Sequence, residues 1–209
     1  MSQIEGERIR DQAVLYWVAD KGDETLSVTH DGLNHDSLVI DMGGYKGEWA
    51  QKVFDRYGCN IEIYEPASEF AQEVRKRFEN HLNTKIKVVE CAIGSSDDRA
   101  NLIMDGLATS IQKNELGKIQ VLSAETILSD RKIDLLKMNI EGSEYEVFDS
   151  LFENDLVRNV DSIFVQFHPI DDESINRYNE IVDRLSNTHN CVFRYPFIWE
   201  KWSLKDSFK

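Results

Sequence analysis

The chain has 209 residues, and its 38 Asp and Glu against 24 Lys and Arg give a formal net charge of −14 at pH 7. This length predicts one domain that buries its own hydrophobic core, and a hydrophobic content of 41% excludes the composition of a disordered chain. The acidic balance argues against a nucleic-acid partner and against adsorption to anionic lipid, because both depend on Lys and Arg.

The longest apolar run falls far short of the ~20 residues of a membrane-spanning helix. The first residues, Met1 to Glu5, lack the basic and apolar blocks of a signal peptide. We therefore expect a cytoplasmic protein without membrane insertion. The cysteines Cys59, Cys91 and Cys191 contain no CxxC pair, which predicts free thiols rather than a disulfide framework or a zinc site.

The predicted elements begin with a helix at residues 4–20, where apolar side chains recur at helical spacing, followed by a polar loop at residues 21–36. Strands and helices then alternate. Strands are predicted at 37–41, 60–65, 85–90, 133–138 and 162–167, and helices at 46–57, 67–81, 143–152 and 173–185. Residues 99–122 predict short antiparallel strands or a lid-like excursion, and residues 191–195 and 198–204 predict a closing pair of strands.

Short connections and helical crossovers of this kind predict an α/β fold, with a parallel sheet and helices on both faces. Residues 1–36 are interpreted as an N-terminal helical lead and loop, and residues 37–209 as the ligand-binding domain. Ligands of such open sheets bind beyond the carboxyl ends of the strands. The residues that follow each strand are therefore the candidate site residues.

The first strand ends in a glycine-rich turn, Asp41-Met-Gly43-Gly44-Tyr-Lys-Gly47. Glycines there let the backbone turn sharply and let a ligand approach amide groups that a Cβ would block. Because position 45 is Tyr, the turn is not the G-x-G-x-x-G motif of dinucleotide-binding folds, and it lacks the Gly-Lys-Ser/Thr of a P-loop. A tight turn that needs small residues explains it equally well.

The second and third strands end in residues suited to a nucleoside. Glu65-Pro66 places a carboxylate at the tip of the second strand, where it can accept both hydroxyls of a ribose. A helix-capping Glu before Pro is the alternative. The turn that includes Cys91 and Ala92 has small residues that can flank a purine ring, although an ordinary loop explains it as well.

Taken in order, these motifs resemble the FkbM-type family of S-adenosylmethionine-dependent methyltransferases. The resemblance covers about Leu38 to Leu204, and its most distinctive part is the run from Lys137 to Glu144. The segments that carry it are Val39 to Gly47, Glu65-Pro66, Ala92 to Gly94, Ala108 to Ile111 and Ile133 to Glu144. It implies a class I (Rossmann-like) methyltransferase fold, with a seven-stranded, mostly parallel sheet whose last strand is antiparallel, and O-methylation of sugars, polysaccharides or other secondary metabolites.

The resemblance also implies which residues hold S-adenosylmethionine. Asp41, Gly43 and Gly47 would line its methionine end, Glu65 its ribose, and residues 90–92 its adenine. The full expected set is Asp41, Gly43, Gly44, Gly47, Glu65, Pro66, Cys91, Ala92, Asn139 and Glu141.

Asn139 stands where the family usually has Asp. An amide bears no charge and cannot act as a base near pH 7, so any role of that carboxylate is weakened here. Glu141 can hold the ammonium of the cofactor or a hydroxyl of the acceptor. Glu141 and Asn139 together make a poor site for a hard cation, so no metal is expected.

Methyl transfer to a hydroxyl needs a base, because a sugar hydroxyl does not ionise at pH 7. His168 is the best candidate, since it follows the apolar fifth strand directly, and in the family a His often stands here. The alternative is that a His before Pro caps the strand.

Lys137 on the fourth strand can serve as a base or form an ion pair with Glu141, Glu144 or Asp134. The predicted catalytic candidates are therefore His168, Lys137 and Asn139. Glu144 has a structural explanation as an acid at a helix N-terminus, where the helix dipole favours it.

The favoured function is S-adenosylmethionine-dependent O-methylation of a small-molecule or glycan acceptor. A methyltransferase-like domain that binds a partner or ligand without catalysis is the alternative, motivated by Asn139 and by the lack of an established base. A nicotinamide-dependent oxidoreductase is disfavoured by Tyr45. Tyr45 and Trp49 can either stack on a sugar ring or belong to the core.

Overall fold

The computed structural model of the protein describes residues 3–105, 108–113 and 116–208. Its helices are α1 (Gln3–Ala19), α2 (Glu48–Tyr57), α3 (Ser68–Arg77), α4 (Ala124–Leu128), α5 (Glu144–Glu153) and α6 (Ser174–Thr188). Its strands are β1 (Leu38–Met42), β2 (Asn60–Tyr64), β3 (Ile86–Val89), β4 (Ala92–Gly94), β5 (Asp98–Asp105), β6 (Ala108–Lys113), β7 (Ile119–Ser123), β8 (Leu135–Met138), β9 (Ser162–Val165), β10 (His189–Tyr195) and β11 (Trp199–Leu204). The side chains of residues 103–111, which include the motif Ala108 to Ile111, lie outside the described part of the chain.

The main sheet has seven strands in the order β10-β11-β9-β8-β1-β2-β3. β1, β2, β3, β8 and β9 pair in parallel, and β11 runs antiparallel to both β9 and β10. The predicted seven-stranded, mostly parallel sheet with an antiparallel last strand is therefore confirmed. β1 pairs with β2 on one side and β8 on the other, so the strand order reverses at β1. A reversal of this kind opens a crevice at the carboxyl ends of the strands.

Side chains of β1 alternate between two apolar layers. Ile40 and Met42 pack on the face that is covered by Phe148 of α5 and Tyr178 of α6. Val39 points to the opposite face, whose layer includes Trp17 of α1, Val53 of α2 and Val74 of α3. Burial of these layers leaves the strand ends as the place where polar groups meet.

A second sheet holds the middle of the chain, in the order β4-β7-β5-β6. β5 pairs antiparallel with β6 and β7, as one of the two interpretations of residues 99–122 predicts. β4 and α4 were not predicted, because three and five residues are too few to show a period.

The helix predicted at residues 67–81 ends at Arg77 instead. In the turn that follows, the carbonyl of His81 accepts hydrogen bonds from the amides of Thr84, Lys85 and Ile86. These bonds turn the chain back into β3. The other predicted elements of the main sheet agree with the structure to within a few residues.

α1 begins against the segment that follows β9. The amide of Gln3 donates to Asp172 Oδ1 at 2.7 Å, and a Cβ on Gly6 would lie 2.7 Å from Cβ of Pro169. Ile4, which the helical spacing grouped with Trp17, is 75% exposed. In the described part of the chain, no helix combines the length and apolar character required to cross a bilayer.

Candidate active site

A cavity opens at the carboxyl ends of β1, β2, β3 and β8. It is lined by Gly43, Tyr45, Tyr64, Glu65, Pro66, Phe70, Cys91, Ala92, Ile93, Asn139, Ile140, Glu141 and Ser143. Most of the predicted cofactor residues are among these, namely Gly43, Glu65, Pro66, Cys91, Ala92, Asn139 and Glu141. The cavity therefore lies where the residues that follow the parallel strands meet.

Asp41, Gly44 and Gly47 do not line the cavity. Gly44 lies against β2, where a Cβ would come within 2.2 Å of Cγ2 of Ile63. Gly47 precedes α2 with φ of 75° and faces α3, where a Cβ would lie 3.3 Å from Cγ2 of Val74. These two glycines shape the turn, and no contact in this structure favours a role for them in binding.

Gly43 is required by a backbone contact rather than by ligand access. Its φ is 85°, and a Cβ at this position would lie 1.8 Å from the carbonyl oxygen of Asn139. The turn after β1 thus packs directly on the turn after β8. Any side chain at position 43 would push apart two walls of the cavity.

Asp41 forms a buried ion pair beneath the cavity. Its Oδ1 lies 2.8 Å from Nζ of Lys137, which also donates to the carbonyl oxygen of Gly43 at 2.6 Å. Burial raises the pKa of the Asp41 carboxyl, although the charge of Lys137 opposes that shift. The two residues face each other in the register of β1 and β8.

The predicted partners of Lys137 were wrong. Glu141 and Glu144 contact His168 instead, and Asp134 accepts a hydrogen bond from the amide of Leu38 at 2.8 Å. With its ammonium held by Asp41 and a carbonyl, Lys137 has a structural role in this geometry. Nothing here favours it as a base.

Glu65 occupies the tip of β2 and is 4% exposed. Its Oε2 accepts from the amide of Tyr45 at 2.7 Å, and its Oε1 accepts from the amide of Ala67 at 2.9 Å. Burial raises the pKa of Glu65 to about 7, even though both hydrogen bonds favour the carboxylate. Each carboxylate oxygen has a further lone pair, so Glu65 can cap the start of α3 and still accept two hydroxyl groups.

Two buried oxygens at this site have no hydrogen-bond partner in the described structure, Oδ2 of Asp41 and Oδ1 of Asn139. Buried polar groups are almost always paired. Since Asn139 lines the cavity, its Oδ1 can accept a hydrogen bond from a ligand there. These hydrogen-bond acceptors therefore fit a ligand that carries an ammonium and a ribose.

The remaining wall is apolar. Cys91, Ala92 and Ile93 are buried, and burial raises the pKa of the Cys91 thiol to about 12, so the side chain is neutral at pH 7. Phe70 of α3 closes the wall and meets the ring of Tyr45 edge-on, with centroids 4.5 Å apart. Such a slot suits a flat aromatic ring.

His168 lies between two glutamates at the edge of the cavity. Its Nδ1 is 2.9 Å from Oε1 of Glu144, and its Nε2 is 3.5 Å from Oε2 of Glu141. Burial would lower the pKa of His168, but the charges of Glu144 and Glu141 outweigh it, and the pKa is raised. His168 itself does not line the cavity, but it contacts Glu141, which does.

The sequence interpretation missed several lining residues: Tyr64, Phe70, Ile93, Ile140 and Ser143. They are apolar or small residues, and none of them has a side chain whose chemistry singles it out in the sequence. Trp49 belongs to the core, because its indole donates to the carbonyl oxygen of Ser27 and stacks on Phe164. Among the residues that the structure describes, no group of three or more His, Cys, Asp or Glu side chains is arranged to hold a metal ion.

Comparison with known proteins gives a family and a fold. Residues 41–195 match the family model described as the methyltransferase FkbM domain. No curated protein gives a significant match to the chain.

Three solved structures illustrate the fold. The chain is similar to a putative rRNA-methylase from Clostridium thermocellum, with a TM-score of 0.54 and 8% identity over 82% of this chain and 88% of the other. It is similar to precorrin-6y C5,15-methyltransferase from Geobacter metallireducens GS-15, with a TM-score of 0.50 and 12% identity over 87% and 86%. A dimethyladenosine transferase from Plasmodium falciparum has a TM-score of 0.50 and 12% identity over 84% and 58%. These similarities confirm the class I methyltransferase fold.

Proposed function

The chain belongs to the FkbM methyltransferase family, and we propose that it methylates a hydroxyl group of a sugar, polysaccharide or secondary metabolite. Family and fold make it an S-adenosylmethionine-dependent methyltransferase. The observation that carries the proposal is the cavity lined by Glu65, by Asn139 with its unpartnered amide oxygen, and by Glu141, which contacts His168.

The residues of the cavity fit S-adenosylmethionine. Glu65 would accept the ribose hydroxyls, Oδ1 of Asn139 the ammonium, and the wall of Cys91, Ala92 and Ile93 would flank the adenine. When bound, S-adenosylmethionine supplies a methyl group on a sulfonium, whose leaving group is a neutral thioether. The chain then has mainly to align the acceptor and exclude water, and alignment alone can contribute ~7–11 kcal/mol.

The acceptor hydroxyl has to lose a proton as the new bond forms. We assign that proton to Nε2 of His168, because this atom lies 3.5 Å from Oε2 of Glu141, which lines the cavity. Asn139 is an amide and does not supply a base. We place the acceptor at the rim beside Glu141.

We propose that the lead, residues 1–36, borders the acceptor site of the domain at residues 37–209. The start of α1 supports this, since Gly6 packs on Pro169, the residue after His168. The helix and the loop of this lead would then be available at the acceptor site to select the acceptor.

Nucleic acid is a weaker candidate for the acceptor, although one structure of similar fold is named a putative rRNA-methylase. A charge of −14 opposes contact with a phosphate backbone. The non-catalytic alternative rests on Asn139 and on the lack of an established base. A histidine held between Glu141 and Glu144 beside the cavity favours catalysis.

The test is transfer of a labelled methyl group from S-adenosylmethionine to a panel of saccharides, with ribosomal RNA and amine-bearing metabolites as competing acceptors. The proposal expects a base-stable methyl ether on a saccharide or other hydroxyl acceptor, formed by the wild type and lost in His168→Asn. Label in RNA or on nitrogen would contradict it, as would an unchanged rate in His168→Asn.

A further inference from the structure

The buried carboxylate of Glu144 joins the turn after β8 to the segment after β9. It is fully buried at the first position of α5. Its Oε1 accepts from the amide of Ile140 at 2.8 Å, and its Oε2 accepts from the amide of Gly142 at 2.9 Å. The third partner is Nδ1 of His168, 2.9 Å from Oε1. The dipole of α5 favours an acid at this position, but it does not explain why the carboxylate has three hydrogen-bond donors around it.

The backbone partners decide which atom of the imidazole carries hydrogen. Two amide donors stabilise the ionised form of Glu144, and a carboxylate can only accept. Nδ1 of His168 must therefore bear the proton in this bond. In the neutral imidazole, the lone pair is then left on Nε2.

Nε2 lies 3.5 Å from Oε2 of Glu141, a residue that lines the cavity. If the tautomer were reversed, the lone pair would point at the carboxylate of Glu144 and no base would face the acceptor. From this geometry we propose that Glu144 is the positioning residue of the site, which fixes His168 in the tautomer and orientation that place its basic nitrogen toward the acceptor. The inference rests on the proposed function, in which His168 takes the acceptor proton.

The charges around His168 give Glu144 a second effect. Glu144 and Glu141 face the imidazole from the turn and helix after β8, and Arg10 faces it from α1. The hydroxyl of Tyr145 donates to the backbone carbonyl of His168 at 2.8 Å, so this hydrogen bond does not involve the imidazole ring. Burial lowers the pKa of His168, Glu144 is the largest influence that raises it, and Arg10 opposes the rise. A histidine with a higher pKa is a stronger base once it is neutral.

The test is the titration of the imidazole nitrogens by NMR, with the signals of His168 identified by their loss in His168→Asn. In the wild type at alkaline pH, we expect Nδ1 to be protonated and Nε2 to have the shift of an unprotonated nitrogen. In Glu144→Gln, the tautomer preference should be lost, and the pKa of His168 should fall by about one pH unit or more.

Glu146→Gln is the matched control. It removes an equal charge from the same helix, where Glu146 accepts from the hydroxyl of Ser95 at 3.1 Å instead of contacting His168. We expect the tautomer and titration of His168 to be unchanged in this variant. If Glu144→Gln does not fold, Glu144→Asp and the wild-type tautomer still decide the question.

Two results would overturn the inference: a wild-type His168 with its proton on Nε2, or the same His168 titration in Glu144→Gln as in the wild type. Because the NMR measurement needs neither cofactor nor acceptor, it separates this inference from the proposed function. With an acceptor in hand, kcat in Glu144→Gln should fall at least about tenfold, with the KM of the acceptor unchanged and the acidic limb of the rate profile, where the base becomes protonated, moved to lower pH. A fall in kcat with an unmoved pH profile would indicate a structural role only.

Discussion

Asp41 and Lys137 lie opposite each other on β1 and β8, and their side chains form an ion pair of 2.8 Å from which water is excluded. Lys137 is 4% exposed and Asp41 is fully buried. Because Lys137 also donates to the carbonyl oxygen of Gly43, the pair ties the two strands to the turn that forms one wall of the cavity. The pair therefore links the stability of the sheet to the shape of the site.

Removal of Lys137 leaves the charge of Asp41 buried and unpaired. Lys137→Met should lower the free energy of unfolding by about 3–5 kcal/mol near pH 8, as found when one partner of a buried pair is removed. The folded-state pKa of Asp41 rises further in the variant, so the loss grows as pH increases above the unfolded value of about 3.9 and should be smaller near pH 5. Urea denaturation at the two pH values measures both effects.

The control is Lys132→Met, whose ammonium pairs with Asp161 at 2.7 Å but whose side chain is 57% exposed. This variant should lose no more than about 1 kcal/mol. Equal losses in the two variants would show that the buried pair is no more important than a surface pair.

Gly43 provides a test of the contact between the two turns. Gly43→Ala puts a Cβ 1.8 Å from the carbonyl oxygen of Asn139, so it should destabilise the fold strongly and weaken binding of S-adenosylhomocysteine. Gly32 has a similar φ of 89° with open space around it. Gly32→Ala should therefore cost only the strain of a positive φ, about 1–2 kcal/mol, and leave binding unchanged. Thermal unfolding and calorimetry of both variants make the comparison, and equal effects would count against the close contact.

Glu65 and Gly43, which the sequence places directly after strands, line the cavity because parallel strands bring their carboxyl ends together. The sequence could not predict the pairs. Asp41 and Lys137 meet through the register of two strands that are distant in sequence. The sequence instead suggested acids closer to Lys137 along the chain as its partners. The contact of Glu144 with His168 could not be predicted because each residue already had a local explanation: Glu144 begins a helix, and His168 follows a strand.

Glu65 should make the binding of S-adenosylhomocysteine depend on pH. With its pKa raised to about 7 in the free protein, Glu65 must lose a proton below neutral pH before it can accept two ribose hydroxyls. The affinity for S-adenosylhomocysteine should therefore fall up to about tenfold per pH unit below that pKa and level off above it. Glu65→Gln should bind more weakly and lose this dependence.

Calorimetry in buffers of different ionisation enthalpy measures the proton that is released on binding. A release near pH 6 that persists in Glu65→Gln would assign the linked proton to another group. His168→Asn, which keeps Glu65, should retain the release.

The proposed binding of the cofactor through Glu65 is tested most directly by calorimetry, with S-adenosylhomocysteine titrated into the wild-type protein, Glu65→Ala and Glu69→Ala. Glu69 is an exposed acid on the first turn of α3, so it controls for charge close to the cavity. We expect one binding site in the wild type and an unchanged affinity in Glu69→Ala. In Glu65→Ala, the affinity should fall at least about tenfold, since two charge-assisted hydrogen bonds disappear. No binding to the wild type at high micromolar ligand, or equal affinity in all three proteins, would contradict it.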